Sequence, residues 1–220
     1  MTLPTIRNKS LLEEAFTHRS YLNETKEKIQ SNERLEFLGD SILSFVVSEY
    51  LFKSYPSFNE GILTNLRSLI VNTKSLAAGA KELGLGERLL MSKGEKEAKG
   101  SQNPSLLADS FEAFVGALFL DQGIASVRDF ILQTILRNVK TIVEKKAFKD
   151  PKSMLQELIQ AKNQHFPIYR VLKEEGPAHA KLFLVGVYVD NILLGQGEGK
   201  SKQEAEENAA KVALEKASKE

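Results

Sequence analysis

Residues 32–41 read NERLEFLGDS, and the carboxylates in this stretch decide how the rest of the chain is interpreted. Glu33, Glu36 and Asp40 are three and four residues apart, a spacing that places them on one side of a helix. Most of their neighbours are apolar, so this helix is expected to be central and buried. The stretch therefore predicts carboxylates in an apolar setting, where unpaired charges are costly.

A second stretch, LLADSFEAFVGALFLD at residues 106–121, repeats this arrangement with Asp109 and Glu112. Neither stretch contains a Lys or Arg other than Arg34, so a bound divalent cation is expected to supply the missing positive charge. A ligand set made only of oxygens favours Mg²⁺, with Mn²⁺ as a substitute, over zinc. The alternatives for these acids are solvated helix faces or pairing with distant basic residues.

Around these two stretches the sequence predicts more helices, because apolar residues recur at helical spacing up to about residue 145. Asn103 and Pro104 mark the start of the second acidic helix, with Asn as the N-cap and Pro in the first turn. Gly39 and Gly116 would let the two acidic helices approach closely enough to share ions. The predicted helices are Ser10–Tyr21, Leu35–Phe52, Thr64–Leu83, 104–120 and Ile124–Lys145, with a loop at Ser92–Gln102.

The pattern changes at residues 145–151, where the short charged segment KKAFKDP ends in Asp-Pro. Such a segment indicates a linker and a new helix start. We therefore expect a helical domain at 1–146, a linker at 147–150 and an α-β-β-β-α domain at 151–220. The predicted elements of the second domain are helix Lys152–Lys162, strands Tyr169–Lys173, Leu182–Val189 and Ile192–Gly195, and helix Ser201–Ser218. A hairpin turn is expected at Asp190-Asn191, and a capping box between Ser201 and Glu204 at the start of the last helix.

The composition is that of an ordinary globular protein, with 42% hydrophobic and 27% charged residues and a net charge of +1. No apolar run has the length of a membrane span, and the first ten residues lack the apolar stretch of a secretory signal. The absence of cysteine excludes disulfides, thiolate zinc sites and a cysteine nucleophile. A soluble cytoplasmic protein that does not bind membranes is expected.

The two acidic stretches together resemble the ribonuclease III family. NERLEFLGDS closely matches that family's signature, and residues 106–121 match its second acidic helix. Residues 11–24, LLEEAFTHRSYLNE, and residues 55–71, YPSFNEGILTNLRSLIV, are also similar to it. The resemblance covers essentially the whole chain. It implies a mainly α fold, in which an all-helical endonuclease domain precedes a small α+β double-stranded RNA-binding domain.

This resemblance also implies a chemistry. Such an enzyme hydrolyses both strands of double-stranded RNA, leaving 5′-phosphate and 3′-hydroxyl ends, in rRNA and mRNA processing. It acts as a homodimer with Mg²⁺ and without an organic cofactor. Position by position, the resemblance implies metal ligands at Glu36, Asp109 and Glu112, catalytic acids at Asp40 and Glu112, acids near the cleavage site at Glu33 and Glu60, and a dimer contact at Phe37. For Phe37 taken alone, core packing is an equally good interpretation.

The tail resembles a double-stranded RNA-binding domain. The outward face of its first helix, the loop between its first two strands and the start of its last helix carry the match. A departure lies at Gln203 and Glu206, where many members have lysines, and weaker binding is expected from it. The residues implied to contact RNA are Lys152, Gln156, Gln160, Pro177, His179, Lys200 and Lys202.

Two other functions stay open from the residues alone. A non-catalytic double-stranded RNA-binding protein of the same fold would not need the intact set of acids. A metal-dependent hydrolase of small phosphates would not need a second domain of duplex size. His18 beside Thr17 is interpreted as structural rather than catalytic.

Overall fold

Helices account for nearly all regular structure up to residue 144, and a small sheet flanked by two helices follows. The computed structural model describes residues 3–144, 151–163, 166–177 and 181–217. The chain divides into two compact units, residues 1–148 and 149–220. The helices of the first unit are α1 (Lys9–Phe16), α2 (Glu33–Ser54), α3 (Glu60–Ile70), α4 (Thr73–Glu82), α5 (Lys93–Glu97), α6 (Pro104–Gln133) and α7 (Val139–Glu144).

The two acidic stretches lie on α2 and α6, which pack directly against each other. A Cβ atom added at Gly39 would overlap the backbone carbonyl oxygen of Glu112, and one added at Gly116 would overlap that of Leu35. The backbones are therefore in contact at these two positions, as the two glycines predict. This contact brings the carboxylates of one helix beside those of the other.

The core of the first unit surrounds this helix pair. Helix α6 contains a kink at Gly123, whose φ of 78° is open to glycine and unfavourable for other residues. The kink changes the direction of the helix, so that Phe130 packs against the first half of α6. Its ring stacks on that of Phe111, with ring centres 5.4 Å apart, and lies 5.3 Å from that of Phe114. All three rings are buried, so the segment that carries Asp109 and Glu112 stands on a rigid base.

Several predicted boundaries in the first unit are wrong. Thr64–Leu83 is not one helix, because Asn72 ends α3 and caps α4 by accepting a hydrogen bond from the Ser75 N–H at 2.9 Å. Ser92–Gln102 is not simply a loop, since it contains α5 and a short 3₁₀ helix at Gly100–Gln102. The predicted helices Ser10–Tyr21 and Ile124–Lys145 each divide in two, at Thr17–His18 and at residues 134–138.

The expectation that α2 is buried on all sides is also wrong. Phe37, Phe45 and Phe52 are 78%, 56% and 71% exposed. At 100° per residue these three positions fall within one sector of about 80°. One face of α2 therefore presents a row of phenylalanines to the surroundings, and core packing is excluded for Phe37 within this chain.

The second unit has the predicted α-β-β-β-α order. Its elements are α8 (Pro151–Asn163), β1 (Ile168–Glu175), β2 (Leu182–Val189), β3 (Ile192–Gly199) and α9 (Lys202–Ala217). The antiparallel sheet has the order β1-β2-β3. Asp190 and Asn191, both with positive φ, form the tight turn between β2 and β3. The fold class predicted from the sequence is confirmed.

Two predictions fall on residues outside the described ranges, namely the linker at 147–150 and His179. The small core of the second unit lies between the sheet and the two helices. It is formed by Leu155, Ile159, Val187, Val189, Ala209, Ala210 and Ala213. Among the helices that the structure describes, none is both long enough and apolar enough to cross a membrane.

Candidate active site

Three carboxylates from α2 and α6 converge at the contact between the two helices. Glu36, Asp109 and Glu112 each offer one oxygen, and these oxygens lie within 4.8 Å of one another. All three side chains are half-buried. This acidic cluster has the size and the oxygen chemistry of a site for one divalent cation.

The charges of the cluster repel one another. Burial and the neighbouring acids Asp40, Glu36 and Asp109 raise the pKa of Glu112 from its ordinary value of 4.5 to about 7. Burial, together with Asp109, Glu33 and Asp40, also raises the pKa of Glu36. Two effects raise a carboxyl pKa here, loss of water and proximity of like charge. A bound cation would oppose both, because it stabilises the charged carboxylates in place of water.

In the described part of the chain, Glu36, Asp40, Asp109 and Glu112 make no salt bridge to Lys, Arg or His. The alternative in which these acids pair with distant basic residues is therefore not observed. Asp40 lies on the exposed side, outside the group of three, yet close enough to raise the pKa of Glu36 and of Glu112. The arrangement is that of three clustered carboxylates with a fourth acid beside them.

The two auxiliary acids lie outside the cluster. Glu33 is exposed, 3.4 Å from Arg19, and accepts a hydrogen bond from the Ser31 hydroxyl at 2.8 Å. Glu60 begins α3, is exposed, and accepts a hydrogen bond from the Thr64 hydroxyl at 3.1 Å. Glu33 is still near enough to act on the pKa of Glu36. Glu60 is not brought to the cluster within one chain.

His18 is more closely linked to the cluster than the sequence indicates. Its Nδ1 lies 2.8 Å from the Ser20 hydroxyl and accepts a hydrogen bond from the Ser20 N–H at 3.3 Å, which agrees with a structural role. Its positive form also opposes the rise in the pKa of Asp109, although burial of that carboxyl is the larger effect and the pKa is raised overall. The sequence gives no indication of this proximity, which arises from the packing of the 17–20 segment.

Phe37 lines a groove beside α2, which also contains the charged side chains of Glu33 and Arg34. The groove is apolar along Leu38 and Leu120, and Leu120 is itself 53% exposed. Exposed aromatic and aliphatic side chains that adjoin one another are uncommon on a monomer surface and mark sites of association.

In the second unit, two of the lysines predicted to contact RNA are paired with acids of the same unit. Lys152 Nζ lies 2.5 Å from Glu206 Oε2, and Lys202 Nζ lies 3.1 Å from Glu174 Oε1. Each ammonium group also stands over an aromatic ring, that of Tyr169 for Lys152 and that of Phe183 for Lys202. The role of Glu174 was not predicted, because this acid meets Lys202 only through the tertiary fold.

Among the described residues, the other predicted RNA contacts are exposed, apart from the half-buried Gln160. On α8, Gln156 is exposed and Gln160 half-buried, while Leu155 and Ile159 face the core. Pro177 is exposed in the loop after β1. The Lys200 side chain is exposed, and its backbone N–H donates to Glu204 at 2.7 Å.

The start of α9 was predicted as a capping box between Ser201 and Glu204. The Ser201 hydroxyl accepts from the Glu204 N–H at 3.1 Å, as expected. The Glu204 carboxylate, however, reaches Lys200 N–H instead of Ser201 N–H. The helix start is capped as predicted, with the reciprocal bond displaced by one residue.

Comparison with known proteins agrees with this geometry. Residues 8–139 match the Ribonuclease-III-like family, and residues 151–217 match the double-stranded RNA binding motif. Ribonuclease 3 of Bacillus cereus strain G9842 and that of Bacillus anthracis strain CDC 684 are each 47% identical to the chain over 216 residues, covering 96% of it and 86% of the relative.

Two solved structures are also similar. The nuclease domain of ribonuclease III from Campylobacter jejuni, described for structural flexibility in a region involved in dimer formation, superposes with a TM-score of 0.56 at 42% identity. It covers 61% of this chain and 90% of that one. Dicer from Pichia stipitis has a TM-score of 0.51 at 30% identity and covers 98% of this chain and 97% of that one.

Proposed function

The chain belongs to the ribonuclease III family, and we propose that Glu36, Asp109 and Glu112 hold the Mg²⁺ with which it cuts double-stranded RNA. It is an endoribonuclease specific for double-stranded RNA. The observation that carries the metal assignment is the convergence of three half-buried carboxylates that make no salt bridge among the described residues. The complete set of acids disfavours a non-catalytic RNA-binding protein, and the RNA-binding tail disfavours a hydrolase of small phosphates.

The residues of the site divide the work of hydrolysis. When bound, the cation lowers the pKa of water and stabilises negative charge on the phosphate oxygens. Glu36 on α2 and Asp109 on α6 would hold it. Glu112 would hold it as the deprotonated carboxylate, so metal binding would release a proton where the pH is below its free pKa of about 7. Asp40, exposed beside the three ligands, orients the attacking water.

The enzyme leaves 5′-phosphate and 3′-hydroxyl ends and processes rRNA and mRNA precursors. Perfect duplex RNA incubated with the protein and Mg²⁺, then run on a denaturing gel, should be cut in both strands, and Mn²⁺ should support the same products. A 3′-hydroxyl end is extended by a polyadenylating polymerase without prior phosphatase treatment. Cleavage in excess chelator, or products that such a polymerase does not extend, would contradict the proposal.

The working form is a homodimer, which two cuts in one duplex require if each chain has one acidic cluster. Support comes from the exposed row of Phe37, Phe45 and Phe52 and from the adjoining apolar groove. Light scattering should give about twice the chain mass of 24.5 kDa. Phe37→Arg should lower that mass toward one chain, whereas a wild-type monomer that still cuts both strands in one encounter would contradict dimerisation.

Residues 151–220 form the RNA-reading domain, and 1–146 form the catalytic and dimerisation domain. The amides of Gln156 and Gln160 suit the 2′-hydroxyl groups of an A-form minor groove. The phosphate contacts come from Lys152, Lys200 and Lys202. Truncation after Lys149 should leave a folded nuclease that cuts at low salt and loses affinity at moderate salt. Equal affinity of the full chain for matched RNA and DNA duplexes would contradict this reading role.

A further inference from the structure

We propose that Glu174 and Glu206 set the affinity of the RNA-reading domain by holding Lys202 and Lys152 until a duplex displaces them. The inference rests on the proposed role of these lysines as phosphate contacts. Residues 151–220 contain 10 Lys and Arg against 10 Asp and Glu, a net charge of zero. Any attraction to phosphate therefore depends on how the individual charges are placed.

The first ion pair joins the two helices of the domain. Lys152 near the start of α8 and Glu206 in the second turn of α9 meet at 2.5 Å. Their side chains are 32% and 27% exposed, so water screens this pair less than it screens an ordinary surface pair. The ammonium group also lies 4.9 Å from the centre of the Tyr169 ring. Lys152 is thus held at two points in the duplex-free chain.

The second ion pair is shared by two lysines. Glu174 at the end of β1 lies 3.1 Å from Lys202 and 3.3 Å from Lys181. These hydrogen bonds lower the pKa of Glu174, so the carboxylate stays charged at neutral pH. Lys202 also stands 5.6 Å from the centre of the Phe183 ring. One carboxylate therefore offsets part of the positive charge at the start of α9, where the helix N-terminus also attracts phosphate.

Such pairs change how binding depends on salt. A lysine that meets phosphate from bulk solvent releases a condensed cation from the RNA and adds about one unit to the salt slope. A lysine that is paired with a carboxylate must first leave it. The carboxylate then remains as an unpaired acid beside the phosphates. Each carboxylate is therefore expected to weaken binding by about two- to fivefold, the range of partly exposed ion pairs.

The experiment measures duplex RNA binding by the full chain with chelator present, so that the RNA stays intact, at four salt concentrations. Glu174→Gln and Glu206→Gln should each raise affinity about two- to fivefold, and the double variant should steepen the salt slope by one to two units. Glu207→Gln is the matched control, because it removes the same charge from α9 while its carboxylate contacts the Gln203 amide at 3.1 Å. It should leave the slope unchanged.

Three further variants, Glu206→Asp, Lys152→Ala and Lys202→Ala, separate the possible failures. Glu206→Asp keeps the charge but shortens the side chain, so it should raise affinity less than Glu206→Gln, because the carboxylate still repels the phosphates. Melting temperatures show that each variant is folded. If Lys152→Ala and Lys202→Ala weaken binding while the glutamine variants match Glu207→Gln, this inference is overturned and the reading role stands. If the two alanine variants bind as tightly as the wild type, the reading role itself fails.

Discussion

The two functional surfaces of this chain treat charge in opposite ways. At the α2–α6 contact, like charges are crowded together without a salt bridge among the described residues, and the pKa of Glu112 rises to about 7. On the RNA-binding domain, Lys152 and Lys202 already have acidic partners. The acidic cluster is therefore electrostatically unfavourable until a cation binds. The lysines of the RNA-binding domain are already paired, so they must leave their carboxylates before they bind phosphate.

The largest expected effect separates these surfaces by function. Glu112→Gln keeps the volume of the side chain but removes one ligand charge, so cleavage of duplex RNA should fall about 1000-fold or more. Duplex affinity in chelator should stay within about twofold, because the RNA-binding domain is unchanged. Single-turnover cleavage and a binding titration measure the two effects. Parallel losses in both measurements would show that Glu112 does not act through the metal.

The complementary experiment removes charges from the RNA-binding domain and leaves the acidic cluster unchanged. Replacing Lys200 and Lys202 together by Ala should weaken duplex binding, while the single-turnover rate at saturating RNA stays close to that of the wild type. A fall in the saturated rate comparable to that of Glu112→Gln would mean that the two surfaces are not separate in function.

The crowding of the acids depends on the contact of two backbones, which a methyl group would break. Gly39→Ala places its Cβ against the Glu112 carbonyl, and neither backbone can move without disturbing the core. Overpacking of this kind should lower the free energy of unfolding by about 3 kcal/mol or more. Gly94→Ala in α5 is the matched control, because nothing lies within 4 Å of the added Cβ. Chemical denaturation of both variants checks the difference, and equal stabilities would contradict the close contact.

Features of the fold and of the sites could be predicted from the sequence where a few neighbouring residues encode them. The acid spacings, the Asn103 cap and the Asp190-Asn191 turn are encoded within a few residues, and each is found in the structure. The break at Asn72 was missed because Leu69, Ile70 and Leu76 continue one helical periodicity across it. Local capping chemistry was outweighed there by a pattern that two successive helices share.

Two features of the sites could not be predicted for a different reason. The exposure of Phe45 and Phe52 on α2 was not predicted, since hydrophobicity does not distinguish an interior from a surface of association. For Phe37, the family resemblance implied a dimer contact, with core packing as an equal alternative. The pairing of Glu174 with Lys202 joins residues 28 positions apart in the chain. It exists only because the end of β1 lies beside the start of α9.

A smaller effect is the pH dependence of Mg²⁺ affinity, which concerns the acidic cluster alone. Because the pKa of Glu112 is about 7 without metal, Mg²⁺ must displace a proton below that pH. The apparent Mg²⁺ affinity should therefore rise up to about tenfold per pH unit between pH 6 and 7 and level off above it. Calorimetric titration in two buffers of different ionisation enthalpy counts the released protons. An affinity that does not change from pH 6 to 8 would contradict the raised pKa.

The smallest effect is on the stability of the metal-free protein. A carboxyl group whose pKa is raised in the folded state binds more protons there, so stability falls as the pH rises from about 4.5 to about 7. Glu112→Gln removes this penalty. After allowance for partial exposure, the variant should be about 1–2 kcal/mol more stable than the wild type at pH 8 without metal, and equal to it near pH 4. Denaturation at both pH values provides the check.

The most direct test of the account is to locate the cation itself. Crystals of the full chain grown with Mn²⁺ should give an anomalous difference peak within about 2.5 Å of carboxylate oxygens from Glu36, Asp109 and Glu112. In crystals of Glu112→Gln this peak should be weak or absent. A peak held by other residues, or an undiminished peak in the variant, would contradict the assignment of the acidic cluster as the catalytic metal site.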